Sequence, residues 1–581
     1  MLLEQGPGHH SGGVAQVHAH GAEQRQGLPA AAGPRLPELA DMKAAKQEFL
    51  ARFPEYGYGG RIDELFAKEV QPRLGDEHYL DFTGSGLYLT SQIAAIQQDL
   101  CASAYGNPHS ITPSSVRASH AVEAVRAALL QLFDADPAQY ELVFTRSATG
   151  ALQLIGEMFP WGPASQFACT RSNHKSVLGI REYAKAHGAA VVPLTEQEVE
   201  AWLASSAAQP TGSGAGNGTA AAGGTGGTPE NGGSSPGPSF SLFAFPAYDN
   251  FSGAMCPAGW VQAVQAKSSP GHQWRVVWDT AAYAPCHPVS LRQVPADFIC
   301  ISFYKLFGFP TGVGALVMKK DLAKRMRKVY WGGGSANYAV SSLDFTLLSD
   351  GPERFEDGTL PFLDIISLQH GLRVFDMLGG VAAIQGHVDS LGRYLYEQAS
   401  QLGHSNGAPL LEIYGNHARP DRAVRQGSTL TFSLLDPLGE YLSWQAAAQA
   451  MMAAGLHVRS GGLCNPGSLC DAVGMSEAEM MQLISQKLRA GVPPPWEWAV
   501  VQRPALGGGR RGRRLPMGVL RVSLGHMSRF EDVAALLAFL SETYTDASAA
   551  SIQMSPEDEV PLQLPGASAF PAAAAHHLAS C

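Results

Sequence analysis

Short, almost wholly apolar segments recur in the middle of this 581-residue chain, and they constrain its fold more than any other feature. Five of them are predicted strands: ELVFT (141–145), SLFAFP (241–246), RVVWD (275–279), DFICIS (297–302) and GALVM (314–318). Near-continuous apolar strands are typical of a parallel sheet covered on both faces. Helical stretches such as ATGALQLIGEMF and SVLGIREYAKA alternate with them. The pattern therefore predicts a doubly wound α/β domain.

A smaller α+β domain is predicted farther along the chain. Apolar residues at helical spacing form one face of a helix that ends at Gly379-Gly380. Predicted strands follow at STLTFSLL (428–435), LHVRS (456–460) and VLRVSLG (519–525). We place the large domain at 91–345 and the small one at 346–545, and expect residues 42–90 to contribute to the small domain.

Glycine and proline, 64 and 38 residues, are concentrated in segments that bury too little surface to fold. The clearest is 207–239, a predicted disordered insert in the large domain. We expect residues 1–41 and 546–581 to be disordered tails, and ALGGGRRGRR (505–514) to form a flexible basic loop.

Composition argues against several classes of function. The net charge of −10 disfavours a nucleic-acid partner or an anionic membrane surface. No apolar run reaches the roughly 18 residues that span a bilayer. Eight cysteines without a CxxC pair or Cys/His zinc spacing indicate neither a disulfide scaffold nor a metal site. A reducing cytoplasm is the expected location.

Two charged residues end predicted buried strands, where open α/β sheets place ligands. Lys305 follows DFICIS and can form a Schiff base if burial removes its proton, or simply mark where the strand exits into solvent. Asp279 ends RVVWD and can pair with a pyridinium nitrogen, or cap the following turn.

Polar residues between a strand and a helix suggest an anion site. In TRSATGA (145–151), backbone amides and the hydroxyls of Ser147 and Thr149 can receive a phosphate at the helix N-terminus, or merely cap the helix. His174 can stack on a flat ring or be structural.

The loop VRSGGLCNPGS (458–468) holds a candidate substrate clamp and a candidate nucleophile. Arg459 offers bidentate recognition of a carboxylate. Cys464, in a Gly/Pro loop near positive charge, can become a reactive thiolate, although an incidental loop cysteine remains an alternative.

Together, these residues and the sequence motifs around them resemble a known family. From about residue 56 to 540, the chain contains short motifs in the order typical of class V aminotransferases of the cysteine desulfurase type. They include YGYGG, YLDFTGSGLY, YGNPHS, NHKSVLGIREYA, FYKLFGFPTG, RSGGLCNPG and LRVSLGHMSRFEDV. They are most similar to the N-terminal domain of the molybdenum cofactor sulfurase family. The resemblance implies a pyridoxal 5'-phosphate (PLP) enzyme of fold type I, with a large, mostly parallel-sheet domain and a smaller α+β domain.

The resemblance also implies roles for individual residues. Lys305 would form the Schiff base, Asp279 would pair with the ring nitrogen, His174 would stack on the ring and Asn250 would bond its oxygen. The phosphate would be held by Ala148, Thr149 and Ser302, and by Gly358 and Thr359 of the other subunit of a homodimer. Arg459 would bind the carboxylate of L-cysteine. Cys464 would take its sulfur as a persulfide for molybdenum cofactor, or a protein that carries it, to activate xanthine dehydrogenase and aldehyde oxidase.

Several positions depart from the family's usual pattern. Relatives usually read DHAG where this chain has Asp81-Phe82-Thr83-Gly84, and desulfurases often have glutamine at Ala282. Gly462 stands where many have a first loop cysteine, which leaves Cys464 as the thiol and Cys470 as a less strongly expected helper. Full-length proteins of the family also carry a C-terminal molybdopterin-binding domain, and we expect either that this chain is truncated before that domain or that the domain is a separate polypeptide.

Three functions remain open at this point. The first is a molybdenum cofactor sulfurase or its catalytic half. The second is a free-standing cysteine desulfurase or selenocysteine lyase with another sulfur acceptor. The third is a catalytically silent scaffold, which would be expected to have lost the lysine, the aspartate or the thiol.

Overall fold

A computed structural model describes residues 39–212, 238–492, 496–504 and 510–548. Its strands, in chain order, are β1 (His78–Tyr79), β2 (Tyr140–Thr145), β3 (Gln166–Thr170), β4 (Ala190–Leu194), β5 (Ser239–Pro246), β6 (His272–Asp279), β7 (Phe298–Ser302), β8 (Gly314–Lys319), β9 (Ala336–Val340), β10 (Phe345–Leu348), β11 (Leu411–Tyr414), β12 (Thr429–Leu434), β13 (Leu456–His457), β14 (Arg459–Gly461), β15 (Trp498–Pro504), β16 (Arg510–Pro516) and β17 (Val519–Ser523).

Helices connect and cover these strands. They are α1 (Leu39–Arg52), α2 (Gly57–Gly60), α3 (Ile62–Glu69), α4 (Gln71–Leu74), α5 (Thr90–Ala102), α6 (Pro113–Leu132), α7 (Ala148–Met158), α8 (Lys175–Leu178), α9 (Ile180–Ala186), α10 (Glu196–Ala204), α11 (Trp260–Gln265), α12 (Phe303–Phe307), α13 (Lys320–Ala323), α14 (Phe362–Leu378), α15 (Gly380–Ala399), α16 (Arg422–Arg425), α17 (Trp444–Ala453), α18 (Pro466–Val473), α19 (Glu477–Arg489) and α20 (Phe530–Tyr544). No helix in the described ranges is long and apolar enough to cross a bilayer.

A seven-stranded sheet forms the centre of the large domain, in the order β2-β8-β7-β6-β5-β3-β4. Successive residues of its strands belong to different apolar clusters. Ile299 and Ile301 pack on one face, whereas Phe298 and Cys300 pack on the other. Burial on both faces explains why these strands have near-continuous apolar sequences. The predicted mostly parallel α/β sheet is confirmed.

Strand β8 differs from the parallel arrangement of which its near-continuous apolar sequence is typical. It pairs antiparallel with both β2 and β7. Only 303–313 separate it from β7, and a parallel return needs a crossover of a dozen or more residues. The short helix α12, which carries Lys305, therefore leads into a turn that reverses the direction of the chain.

Strands β3 and β4 were not predicted from the sequence. β3 is a five-residue segment, QFACT, in which only Phe167 and Thr170 are strong β formers. β4 contains Pro193, which argues against a central strand but is tolerated at the sheet edge where β4 lies.

The second sheet is antiparallel, in the order β11-β12-β17-β14. The predicted strand 456–460 is divided in two: β13 pairs with β1, and β14 pairs with β17. Strand β1 pairs with β13, and Asp81 forms an isolated bridge with Ser523 at the end of β17. Residues 78–81 therefore contact the small domain.

Parts of the predicted disordered segments lie outside the described residues, namely 1–38, 213–237, 505–509 and 549–581. Residues 510–514, predicted as part of a loop, instead begin strand β16, which pairs antiparallel with β15. The domain boundaries themselves stay a prediction.

Candidate active site

Lys305 lies on the five-residue helix α12, at the carboxyl end of β7. Its side chain keeps some exposure, but the surrounding protein replaces most bulk water. Burial and the nearby Arg521 and Arg459 lower the pKa of Lys305, against the opposing effect of Asp279. No described residue accepts a hydrogen bond from its amine, which is therefore available to a bound molecule.

Asp279 ends β6, the strand beside β7 in the sheet, so it lies at the same sheet edge as Lys305. The side chain is buried, and burial raises its pKa. Its Oδ1 accepts a hydrogen bond from the Ala281 amide at 3.1 Å, while Oδ2 has no donor among the described residues. The carboxylate can thus accept a proton-bearing nitrogen from a ligand.

The N-terminus of α7 forms the third part of the site. Ser147 caps the helix by accepting a hydrogen bond from the Gly150 amide, and the Ala148 amide donates to Ser302 Oγ at 3.0 Å. Thr149 Oγ1 and Ser176 Oγ are 2.9 Å apart. Amides and hydroxyls at the positive end of a helix are suited to a phosphate.

His174 precedes α8, where its Nδ1 accepts a hydrogen bond from the Ser176 amide at 3.2 Å. Burial, with Lys305 and Lys175 nearby, lowers the pKa of His174 to about 4. The ring is therefore neutral near pH 7, which suits stacking on a flat ligand better than ion pairing.

These elements enclose one cavity, which we call the front cavity. Its lining includes seven residues singled out from the sequence: Ala148, Thr149, His174, Asn250, Asp279, Ser302 and Lys305. They come from five separate segments, and the sheet topology brings them together.

The loop that carries Cys464 lies over this cavity under backbone strain. Leu463 and Cys464 have φ values of 53° and 57°, in the left-handed region that costs a non-glycine residue roughly 1–2 kcal/mol. The Lys175 amide donates to the Cys464 carbonyl at 2.9 Å, one residue from His174. The Cys464 side chain itself is exposed. The fold therefore holds an accessible thiol beside the cavity.

Asn250 and Asn465 fasten the loop. Asn250 Nδ2 donates to the Leu463 carbonyl at 2.7 Å, and its Oδ1 accepts from Asn465 Nδ2 at 3.2 Å. Asn465 also donates to the buried Asp249 at 2.6 Å. Asn250 thus contacts the loop with both amide atoms, and its bond to a ring oxygen stays a prediction.

The predicted substrate clamp, Arg459, has a partner that the sequence analysis missed. Its half-exposed side chain lies 3.4 Å from Asp81 Oδ2. Directly opposite, on β17, Arg521 is buried and donates to Asp81 Oδ1 at 2.7 Å and to the Asn250 carbonyl at 2.6 Å. The Arg521 Nε is buried without a described acceptor. Arg521 is therefore the better placed of the two for an anionic ligand.

Two predicted residues lie outside the front cavity. Thr359 lines a different cavity, on another side of α7, and Gly358 bonds to the Gly333 carbonyl in the same region. Neither residue lines the front cavity of its own chain, and their role at a partner's phosphate site stays a prediction.

Ser176 and Arg521 are the site residues that sequence reasoning overlooked. A charged residue in the middle of the apolar strand VLRVSLG signalled Arg521, because burial of a lone arginine requires a partner. Ser176 carried a weaker signal, a hydroxyl two residues after His174.

Comparison with known proteins gives matching sequences and folds. Residues 78–206 and 237–536 match the family described as aminotransferase class V. A molybdenum cofactor sulfurase of Oryza sativa is 35% identical over 87% of this chain and 60% of its own length. The molybdenum cofactor sulfurase of Solanum lycopersicum is 34% identical over 93% of this chain and 64% of its own length. The chain thus spans less than two thirds of these relatives.

Solved structures share the fold at low identity. The apo cysteine desulfurase of Thermococcus onnurineus superimposes with a TM-score of 0.61 and 17% identity, over 83% of this chain and 98% of that one. A second structure, with glycine covalently linked to its PLP cofactor, superimposes with a TM-score of 0.55 and 17% identity. The match covers 81% of this chain and 98% of that one. Both likenesses establish the fold only.

Proposed function

The chain belongs to the class V aminotransferase family, and we propose that it is a PLP-dependent enzyme that takes sulfur from L-cysteine. The observation that carries this proposal is the front cavity itself. It combines an amine without an acceptor, a buried carboxylate on the neighbouring strand and a helix N-terminus, with an exposed thiol held beside it.

The donor set of the front cavity fits PLP. The free Asp279 Oδ2 suits a protonated ring nitrogen, and the unpartnered Lys305 amine suits an aldehyde. At the other end, the Ala148 amide and the hydroxyls of Thr149, Ser176 and Ser302 suit a phosphate. When bound, PLP would withdraw electrons from the substrate carbon beside its amino group.

The substrate carboxylate would be bound by Arg521, with Arg459 at the rim. Arg521 has a buried Nε without a described acceptor, and Asp81 fixes its guanidinium from the other side. A carboxylate accepts bidentate bonds from such a group. Arg459 is more exposed and would add charge rather than fix orientation.

Cys464 would perform the sulfur chemistry. Its thiolate attacks the substrate sulfur, so that a sulfur–sulfur bond forms as the carbon–sulfur bond breaks, with alanine as the product and a persulfide on Cys464. The bonds from Asn250 and Asn465 hold the loop, while exposure of the thiol lets the persulfide reach an acceptor.

We propose molybdenum cofactor, free or carried by a protein, as that acceptor, where the sulfur replaces an oxo ligand on molybdenum as xanthine dehydrogenase and aldehyde oxidase require. Support comes from the relatives' names and their 34–35% identity over most of this chain. A second candidate is a cysteine desulfurase or selenocysteine lyase with another acceptor, which the shared desulfurase fold favours.

A second copy of this chain would complete the site. The hairpin β9–β10 and its turn expose apolar side chains: Tyr338, Val340, Leu343, Phe345 and Leu347. A patch of this kind is typical of an interface between subunits. It lies in the part of the chain that contains Gly358 and Thr359, so a homodimer would bring these residues to a partner's phosphate site.

We also propose a cytoplasmic location. The seven cysteines in the described ranges are all free, and a persulfide-forming thiol requires a compartment that keeps thiols reduced.

The test is to record the visible spectrum of the PLP-treated protein, then measure alanine after adding L-cysteine. We expect a violet-absorbing species that Lys305→Ala abolishes, and alanine formation that Cys464→Ser abolishes. A protein that takes up no PLP would contradict the proposal. Sulfur transfer to molybdenum cofactor, compared with transfer to a small thiol, separates the two candidate functions.

A further inference from the structure

A second, smaller cavity lies behind Lys305, and we call it the back cavity. Lys305, Tyr248 and Ala282 line both cavities and therefore separate them. Phe82 and Thr83 also line the back cavity, so three of the positions that depart from the family pattern, Phe82, Thr83 and Ala282, meet here. Its volume is about 10 Å³, close to the smallest that accommodates one water molecule.

His287 contributes the least satisfied polar group of this wall. Its side chain is 3% exposed, and neither ring nitrogen has a hydrogen-bond partner among the described residues. Tyr283 stacks on the ring at 4.6 Å between centroids, which fixes its orientation. Because buried polar atoms in proteins are almost always paired, each such nitrogen requires an explanation.

The back cavity can supply the missing partner. Ordered buried water binds where two to four polar groups converge. Lys305 lines the same space as His287, and no described residue accepts a hydrogen bond from its amine. Ser428 also lines this space; its hydroxyl donates to Asp389 at 3.1 Å and accepts no hydrogen bond from a described residue.

We propose that the back cavity holds one ordered water that links the Lys305 amine to the His287 ring, which makes His287 a positioning residue for Lys305. The water accepts a hydrogen bond from the ammonium and donates one to a ring nitrogen. The amine is thereby anchored from behind, on the side away from the front cavity.

Neighbouring charges are consistent with a neutral His287. Burial lowers its pKa, while Asp389 on α15 and the backbone of Tyr283 oppose this effect. A neutral ring offers one acceptor nitrogen. The other titratable groups that face the two residues are Tyr248, Tyr283 and Cys286 around His287, and Asp81, His174, Asp279, Arg459 and Arg521 around Lys305.

A crystal structure of the full chain without cofactor is the first test. We expect one water within about 2.7–3.2 Å of both Lys305 Nζ and a His287 ring nitrogen. An empty back cavity, or a water that does not contact His287, would overturn the proposal. This outcome is decided on the unmodified protein and does not depend on any variant folding.

The second test measures the amine of Lys305 in solution, by competitive acetylation of the cofactor-free protein across pH with mass spectrometry. His287→Phe removes the acceptor and should lower the midpoint of Lys305 labelling by about one pH unit. His287→Asn keeps an acceptor, and Cys286→Ala changes the same wall without touching the link, so both should stay near the wild-type midpoint. The exposed Lys175 is the internal reference for labelling, and circular dichroism checks that each variant is folded.

An unchanged midpoint in His287→Phe would overturn the link, as would an equal fall in Cys286→Ala. Since the readout needs neither PLP nor turnover, it is independent of the proposed function.

Discussion

At the scale of single residues, burial sets the chemistry of the site. Asp279 and Lys305 lie on adjacent strand ends, where loss of water raises the pKa of the acid and lowers that of the amine. Both groups would therefore face a bound cofactor with pKa values already shifted by burial. His174 is kept neutral by the same physical cause.

Replacing Asp279 with asparagine tests the role of the buried carboxylate. Asp279→Asn keeps the size of the side chain and removes its charge, so alanine formation should fall at least about a hundredfold. The measurement is the initial rate with PLP-treated protein. Asp421→Asn, on the surface, should retain the wild-type rate, whereas an equally active Asp279→Asn would show that the ring nitrogen needs no anion.

A pH dependence of stability follows from His417, which is buried against Tyr396. Burial, followed by Arg422, lowers its pKa to about 3, below the 6.5 of an exposed histidine. The unfolded chain therefore binds more protons between these values, and stability falls as the pH drops below 6.5.

In His417→Phe this loss disappears. The drop in unfolding free energy from pH 7 to pH 5 should shrink by about 2 kcal/mol relative to the wild type, measured by urea titration. The exposed His120→Gln serves as control. An unchanged drop in His417→Phe would show that His417 is not responsible.

At the scale of secondary structure, close backbone contacts position Lys305. A Cβ added at Gly86 would lie 2.8 Å from the Lys305 carbonyl and 3.1 Å from the Gly308 amide, so the TGSG segment packs directly on α12. Gly86 of YLDFTGSGLY is thus needed for this approach, whereas Gly84 lies in the turn that follows Asp81.

Gly86→Ala should therefore displace α12, lower stability by about 1–3 kcal/mol and weaken PLP uptake. Gly333→Ala is the matched control, because nothing lies within 4 Å of its added Cβ. Urea midpoints and the visible spectrum check both variants. Normal PLP uptake by Gly86→Ala would contradict the importance of this contact.

The elements also show how far the sequence could be taken. The apolar strands β2, β5, β6, β7 and β8 and helix α7 were predictable, since burial on both sheet faces leaves an unmistakable pattern. The antiparallel orientation of β8 follows from its short connection to β7, which the apolar pattern does not reveal. Strand β4 was not predicted because Pro193 argues against a strand. Arg521 was missed because its pairing with Asp81 crosses 440 residues of sequence.

At the scale of the whole molecule, the proposed function requires a homodimer, because Gly358 and Thr359 would act at a partner's phosphate site. Leu343 and Phe345 are 70% and 56% exposed near the tip of the β9–β10 hairpin. Introducing Asp at both positions should yield single chains by light scattering at about 10 µM, because charge at an apolar interface opposes association. Leu438→Asp, at an 87% exposed site elsewhere, should remain dimeric. A monomeric wild-type protein would contradict the proposal.

The most direct measurement of the central claim is the mass of the Cys464 peptide after the PLP-treated protein has met L-cysteine, with digestion free of reductant. The account predicts one added sulfur atom on Cys464 in the wild type and none in Lys305→Ala. Alanine release with the sulfur on Cys470, or with no protein-bound sulfur, would contradict it.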